Sequence, residues 1–258
     1  MPVQSFALDY CAHIRKRLGM LKIKVSIAVL AYCEPINTAS NLSGTDSTLL
    51  VEEALSDTAT YPAQRNQALC ALGYLAQLGY SPKEMVIVGE SAGGNLFLQL
   101  TSLLLRMRHS NPSSMSLREP LGGALLISPL VGMTNFGTRD CLDFATAQNL
   151  TQFANIYLDG IPQGNRSEVD FTSPTASQFQ GLGVIVDRMM ITAGAEEVLR
   201  DDIITLGRHI AGCHPCTTQI VQGHGIHLYI HFDAMLGQNP EGKLTNQMVK
   251  WLSESLVN

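Results

Sequence analysis

Gly89-Glu90-Ser91-Ala92-Gly93 is a Gly-x-Ser-x-Gly pentapeptide set between an apolar run, Glu84-Met85-Val86-Ile87-Val88, and a stretch from Gly94 to Leu100 that opens a helix. A serine on a tight strand-to-helix turn presents its hydroxyl at the edge of a sheet, which suits nucleophilic attack on an acyl carbonyl. The flanking glycines remove Cβ atoms where strand and helix come close. The helix N-terminus offers free N–H groups and the positive end of a dipole to a developing oxyanion, and the Ala92 N–H is the donor beside the serine. Such a serine needs a histidine to take its proton, and the histidine needs a carboxylate to set its tautomer. The chain order on this kind of sheet is serine, acid, histidine, which leaves His209, His214, His224, His227 and His231 as candidates. His209 falls within a predicted helix and His214 is followed by Pro215, whereas His224 and His227 share a Gly-bracketed loop after the last predicted strand, where either can serve. For the acid, Glu196, Glu197, Asp201 and Asp202 follow a strand closely, at the carboxyl edge where ligands bind open α/β sheets. Asp201 and Asp202 also suit the first turn of a helix.

The elements that must position these groups alternate. Phe6, Leu8, Ile14 and Leu18 predict an amphipathic first helix, and Val25 to Tyr32 reads as a buried strand. Residues 34–60 are rich in Ser, Thr, Asn and Asp, which predicts a long loop with a short helix at Leu49 to Leu55. Pro62 starts a helix through Leu78 that stops at Gly79. After the elbow helix come a polar linker over 108–119 and a strand at Gly123 to Ser128. Residues 133–182 carry Phe136, Phe144, Phe153, Tyr157 and Phe171 without clear periodicity, as expected of a lid over a pocket or, equally, of packing material. Arg188 to Thr192 reads as a strand, Leu199 to Ala211 as a helix, Thr217 to Val221 as the last strand and Leu244 to Leu256 as a closing helix. This alternation predicts an α/β fold, a mostly parallel sheet with helices on both faces, in one domain spanning 1–258.

Composition narrows the partners. With 45% hydrophobic and 15% charged residues the chain can build a large core, and no run approaches the ~18 apolar residues of a membrane span. A net charge of −5 gives no electrostatic reason to expect nucleic acid or an anionic membrane as partner. The N-terminus lacks the basic and apolar regions of a secretory signal, which predicts a cytoplasmic protein whose six cysteines are mostly buried thiols. Cys213-His214-Pro215-Cys216 is a CxxC without a second pair, and its spacing to His224 and His227 suits a structural zinc site poorly, so neither metal nor cofactor is expected.

On these residues the chain resembles the hormone-sensitive-lipase-like branch of the α/β-hydrolase superfamily, in particular its fungal esterase-like members. The resemblance runs from about residue 20 onward. It rests on Tyr61-Pro62-Ala63-Gln64 before a helix, Gly89 to Leu96, Ile127-Ser128-Pro129 after a strand, Gly194 to Asp202, and His227 with Asp233 downstream. It implies a cofactor-free serine hydrolase with Ser91 as nucleophile, Glu197 as the acid in place of the usual Asp, and His227 rather than His224 as the base. The implied substrate is a small hydrophobic ester or a polyketide-like metabolite. The family also carries a His-Gly-Gly-Gly-like motif ahead of its first helix that supplies most of the oxyanion hole. The sequence as it stands has no such segment, which predicts an N-terminally shortened hydrolase with Ala92 as its assured donor. Loss of one donor costs on the order of 10²–10³ in turnover. A non-catalytic binding protein on the same scaffold is the rival from another class, and acyl transfer or carbon–carbon hydrolysis by the same triad is a third reading.

Overall fold

The computed structural model describes residues 5–30, 49–51, 61–110, 117–134, 136, 143, 145–175, 178–231 and 242–257. Six strands form one sheet, β1 (Ala28–Val29), β2 (Leu49–Val51), β3 (Val86–Glu90), β4 (Gly123–Ile127), β5 (Met189–Gly194) and β6 (Thr217–Gln222), parallel throughout and adjacent in chain order. Because parallel crossovers are right-handed, a sheet that grows steadily in one direction keeps its crossover helices on one face. There lie α2 (Ala63–Gln77), α3 (Ala92–Ser110), α4 (Ala147–Asp159) and α5 (Arg200–Cys213), over Ile87, Ala124, Leu126, Ile191 and Ala193. The terminal helices, α1 (Ser5–Met20) and α6 (Lys243–Leu256), cover the other face through Tyr10, Leu18, Met248 and Trp251 on Val86, Val88, Leu125, Ile127 and Met190. The strand alternation therefore splits one sheet between two cores. The expected α/β architecture with both faces covered is the one observed.

Several expectations shift in detail. Leu49–Val51 is a strand paired with β3, not the start of a helix, and Glu52 to Leu55 lie outside the described residues. A short Leu-Leu-Val run has no periodicity of its own, and the open edge of β3 takes its backbone groups. The first strand is confined to Ala28–Val29 of the predicted Val25 to Tyr32, of which residues 31 and 32 lie outside the described residues. Pro82–Glu84 forms a 3₁₀ turn, so β3 starts at Val86 rather than at Glu84. The elbow helix continues to Ser110, three residues into the predicted linker. In α1 Tyr10, Cys11 and Leu18 are buried and Ile14 is half-buried, with Tyr10, Ile14 and Leu18 spaced four apart, while Leu8 falls off that stripe and is exposed.

Residues 145–175 fasten onto α2 and α3 rather than hanging free. The Glu168 carboxylate accepts from Tyr61 Oη (2.6 Å), Arg65 Nη1 (2.6 Å), Arg106 Nη2 (3.0 Å) and, on its other oxygen, Asn165 Nδ2 (3.1 Å). Partial burial pushes this carboxyl up, but the Tyr61 and Arg65 hydrogen bonds, the Arg106 charge and the Asn165 amide outweigh it and hold the pKa at about 2. A depressed pKa contributes stability in full above the unfolded value near 4.5 and loses it as pH falls through the folded value. Glu168→Gln is therefore expected to lower Tm at pH 7, by about 2–4 °C for each kcal/mol lost in a chain this size. Calorimetry should show that gap narrowing between pH 4.5 and 2. A gap independent of pH overturns this account.

Candidate active site

Four neighbouring strands deliver their carboxyl ends to one rim of the sheet. Ser91 is the single residue between β3 and α3, with φ +52°. That left-handed conformation costs a non-glycine residue on the order of 1–3 kcal/mol and persists because its surroundings fix it. Ser91 N donates to Ile127 O (3.0 Å), and Ser91 O accepts from Leu130 N (2.8 Å), tying the turn to the end of β4. A Cβ on Gly89 would stand 2.7 Å from Gly93 O, and one on Gly94 would stand 2.6 Å from Pro129 Cβ. Those glycines allow the strand, the helix and the β4 turn to converge. Asn95, buried in the first turn of α3, donates to Leu130 O and Val169 O, both at 2.8 Å, and so holds the β4 turn against the helix.

Beyond β5 and β6 the acid and histidine loops lie against each other. Ala195 N donates to Gln222 O (2.7 Å) and Glu196 N to Gly225 O (2.9 Å). A Cβ on Gly194 would reach within 2.2 Å of Gly225 O, so this contact requires glycine. The contact carries Glu197, fully buried, and His227, 4% exposed, toward Ser91. His227 Nε2 lies 2.9 Å from Ser91 Oγ. His227 Nδ1 lies 3.8 Å from Glu197 Oε2, longer than a hydrogen bond. The other carboxylate oxygen, Glu197 Oε1, accepts from Gly194 N (2.8 Å) and from Ser128 Oγ. Ser128 itself has φ +46°, as Leu228 beside His227 has +57°, so backbone strain gathers around this rim.

The remaining candidates lie elsewhere. His224 is exposed in the turn at φ +59°, and His209 sits on α5 with Nε2 3.2 Å from Thr175 O. His214 is buried between Thr217 Oγ1 and Val186 O, both at 2.9 Å. His231 Nε2 faces the Glu90 carboxylate at 2.7 Å. Asp201 and Asp202 occupy the first turn of α5, where burial and the charges of Asp170 and Asp201 raise the Asp202 carboxyl. The Cys213 and Cys216 thiols are free, and among the described residues no group of three or more His, Cys, Asp or Glu is placed to hold a metal ion. Of four acids and five histidines, the pair that the resemblance implies is the pair that the fold brings to Ser91. Sequence reasoning assigns no role to two residues of this rim. Ser128 is among the residues that carry the resemblance, but its contact with Glu197 spans two strands. Asp143 carries no local signal at all; it accepts from the backbone N–H groups of His227 and Val198, both at 3.1 Å.

This rim can be set against known proteins. By structure the chain is similar to the esterase EstE5 (24% identity, TM-score 0.62, covering 79% of this chain and 64% of that one). It is also similar to an esterase of the bacterial hormone-sensitive lipase family (22%, 0.62, 80% and 66%) and to an esterase/lipase from an uncultured bacterium (23%, 0.57, 78% and 62%). The chain thus spans less than two thirds of the length of these neighbours. No curated protein matches it significantly. No described helix is long and apolar enough to cross a membrane. A family model described as the α/β-hydrolase fold matches residues 48–231, most of the chain and every strand from β2 to the histidine loop. With that match and this architecture, the chain belongs to the α/β-hydrolase fold family.

Proposed function

We propose that this chain is a serine esterase acting on small hydrophobic esters, with Ser91, His227 and Glu197 as its triad. The approach of His227 Nε2 to Ser91 Oγ, 2.9 Å on a strained elbow, carries the reading. His227 takes the hydroxyl proton as Oγ bonds to the ester carbonyl carbon, and Glu197 holds the tautomer and offsets the imidazolium charge. The Ala92 N–H, at the start of α3, faces the oxyanion. Collapse returns the proton to the departing alkoxide and leaves an acyl-serine, which water cleaves by the same relay run again. No cofactor enters these steps. The solved structures of the neighbour EstE5 include one soaked with p-nitrophenyl butyrate and one with PMSF, reagents that suit a serine esterase assay here. In this reading the described residues of 133–182 belong to the same single domain as the sheet, fastened to it through Glu168. The unpaired thiols of Cys70 and Cys216, both exposed, favour a reducing compartment such as the cytoplasm.

A fluorophosphonate probe tests the reading directly. Labelling is expected in the folded wild type and absent from folded Ser91→Ala. Equal labelling of the two sinks the proposal by placing the reactive nucleophile elsewhere, and no labelling in either sinks it in favour of a binding protein on a hydrolase scaffold.

A further inference from the structure

Asp143 stands far in sequence from both loops it touches, yet its side chain bridges them. Its Oδ1 accepts from His227 N (3.1 Å) and from Ala145 N (3.3 Å), and its Oδ2 accepts from Val198 N (3.1 Å). Val198 N belongs to the peptide that follows Glu197, so one carboxylate anchors the main chain of the proposed base and of the proposed acid together. Asp143 is 8% exposed, and N–H groups bonded to a buried anion are held more tightly than by a neutral acceptor. Backbone hydrogen bonds from Ala195 to Gln222 and from Glu196 to Gly225 tie the same loops at their roots.

The geometry points to Asp143 as a positioning residue that sets the imidazole of His227 against Glu197 and over Ser91, a role resting on the serine esterase reading. It touches no reacting atom. Its effect is orientation, and misplacement of a reacting group by about 1 Å costs roughly 100-fold in rate. The substitution Asp143→Asn separates its two halves. The new side chain, turned so that its amide oxygen accepts from His227 N and Ala145 N, keeps two of the three bonds, but its NH₂ then opposes the Val198 N–H.

Hydrogen exchange and turnover per labelled Ser91 are measured together on wild type, Asp143→Ala and Asp143→Asn. In Asp143→Ala, peptides over 194–200 and 224–231 are both expected to exchange at least about tenfold faster while β3 and β4 stay protected. Its kcat per site for p-nitrophenyl butyrate is expected to fall roughly 100-fold, with KM within about threefold of wild type. In Asp143→Asn, 194–200 loosens, 224–231 keeps its protection, and kcat lies between the other two. A purely structural aspartate would loosen the whole sheet and leave kcat per labelled site within about twofold of wild type, and that result overturns the proposal. So does wild-type exchange at either loop in Asp143→Ala. If that variant does not fold, Asp143→Asn decides: loosening at 194–200 alone supports the strap, and any other pattern overturns it. A wild type that neither labels nor turns over p-nitrophenyl butyrate would defeat the esterase reading, whereas the exchange pattern still decides whether Asp143 ties the two loops.

Discussion

Ser91→Ala, His227→Ala and the double variant are expected to lose the same amount of activity, roughly 10⁶-fold in kcat toward an activated ester, with no further loss when the two changes are combined. The reason is that the two side chains act as one nucleophile. A neutral serine hydroxyl is a poor attacking group until a base removes its proton, and an imidazole 2.9 Å away has nothing to activate once the hydroxyl is gone. The residual rate comes from the groups that remain, chiefly the oxyanion donors and substrate binding. His227 is buried, so the variants are compared per folded molecule, with circular dichroism and Tm reporting integrity. Losses that multiply in the double variant, or a His227→Ala enzyme within about 100-fold of wild type, would show that the two residues do not work as a pair.

Glu197→Gln carries the second large effect, about 10⁴-fold in kcat, the size that a reversed histidine tautomer has in serine proteases. Glu197 Oε1 already accepts from Gly194 N and Ser128 Oγ, so a glutamine will keep its carbonyl oxygen there and turn its NH₂ toward His227 Nδ1. Nδ1 must then accept, the ring proton moves to Nε2, and Nε2 points a hydrogen at Ser91 Oγ where a lone pair is needed. The fold should tolerate the change, since a buried neutral amide replaces a buried charge whose desolvation is costly. The expected signature is therefore a slow enzyme with wild-type Tm and a KM close to the original. A drop in kcat below about tenfold would remove Glu197 from the triad and return Asp201 and Asp202 to consideration.

The sheet is legible in the sequence because its strands are short β-branched and apolar runs bounded by glycine, proline and polar turns, and its helices show the spacing of one apolar face. Val86 to Val88, Gly123 to Ile127 and Met189 to Thr192 stand out in this way and are buried as expected. Leu49–Val51 does not, because three apolar residues have no period, and a neighbouring strand decides their conformation. Leu8 falls outside the buried face of α1 because an apolar residue joins that face only when it shares the stripe, and the stripe runs through Tyr10 and Leu18.

By itself the sequence determined the elbow and the serine proposed as its nucleophile. Gly-x-Ser-x-Gly is a local device, and its glycines, its strained serine and the helix that follows are all specified within a few residues of one another. It also confined the leading candidates for acid and base to two short loops, since those must follow strands. The choice within each loop belonged to the tertiary structure. Whether His224 or His227 meets Ser91 turns on how β6 ends and on Gly225 packing against Gly194, and neither is encoded near the histidines alone. Asp143 and Ser128 belong wholly to that level: a hydrogen bond between segments far apart in the chain depends on where each backbone arrives, and no spacing in the sequence records a meeting point in space.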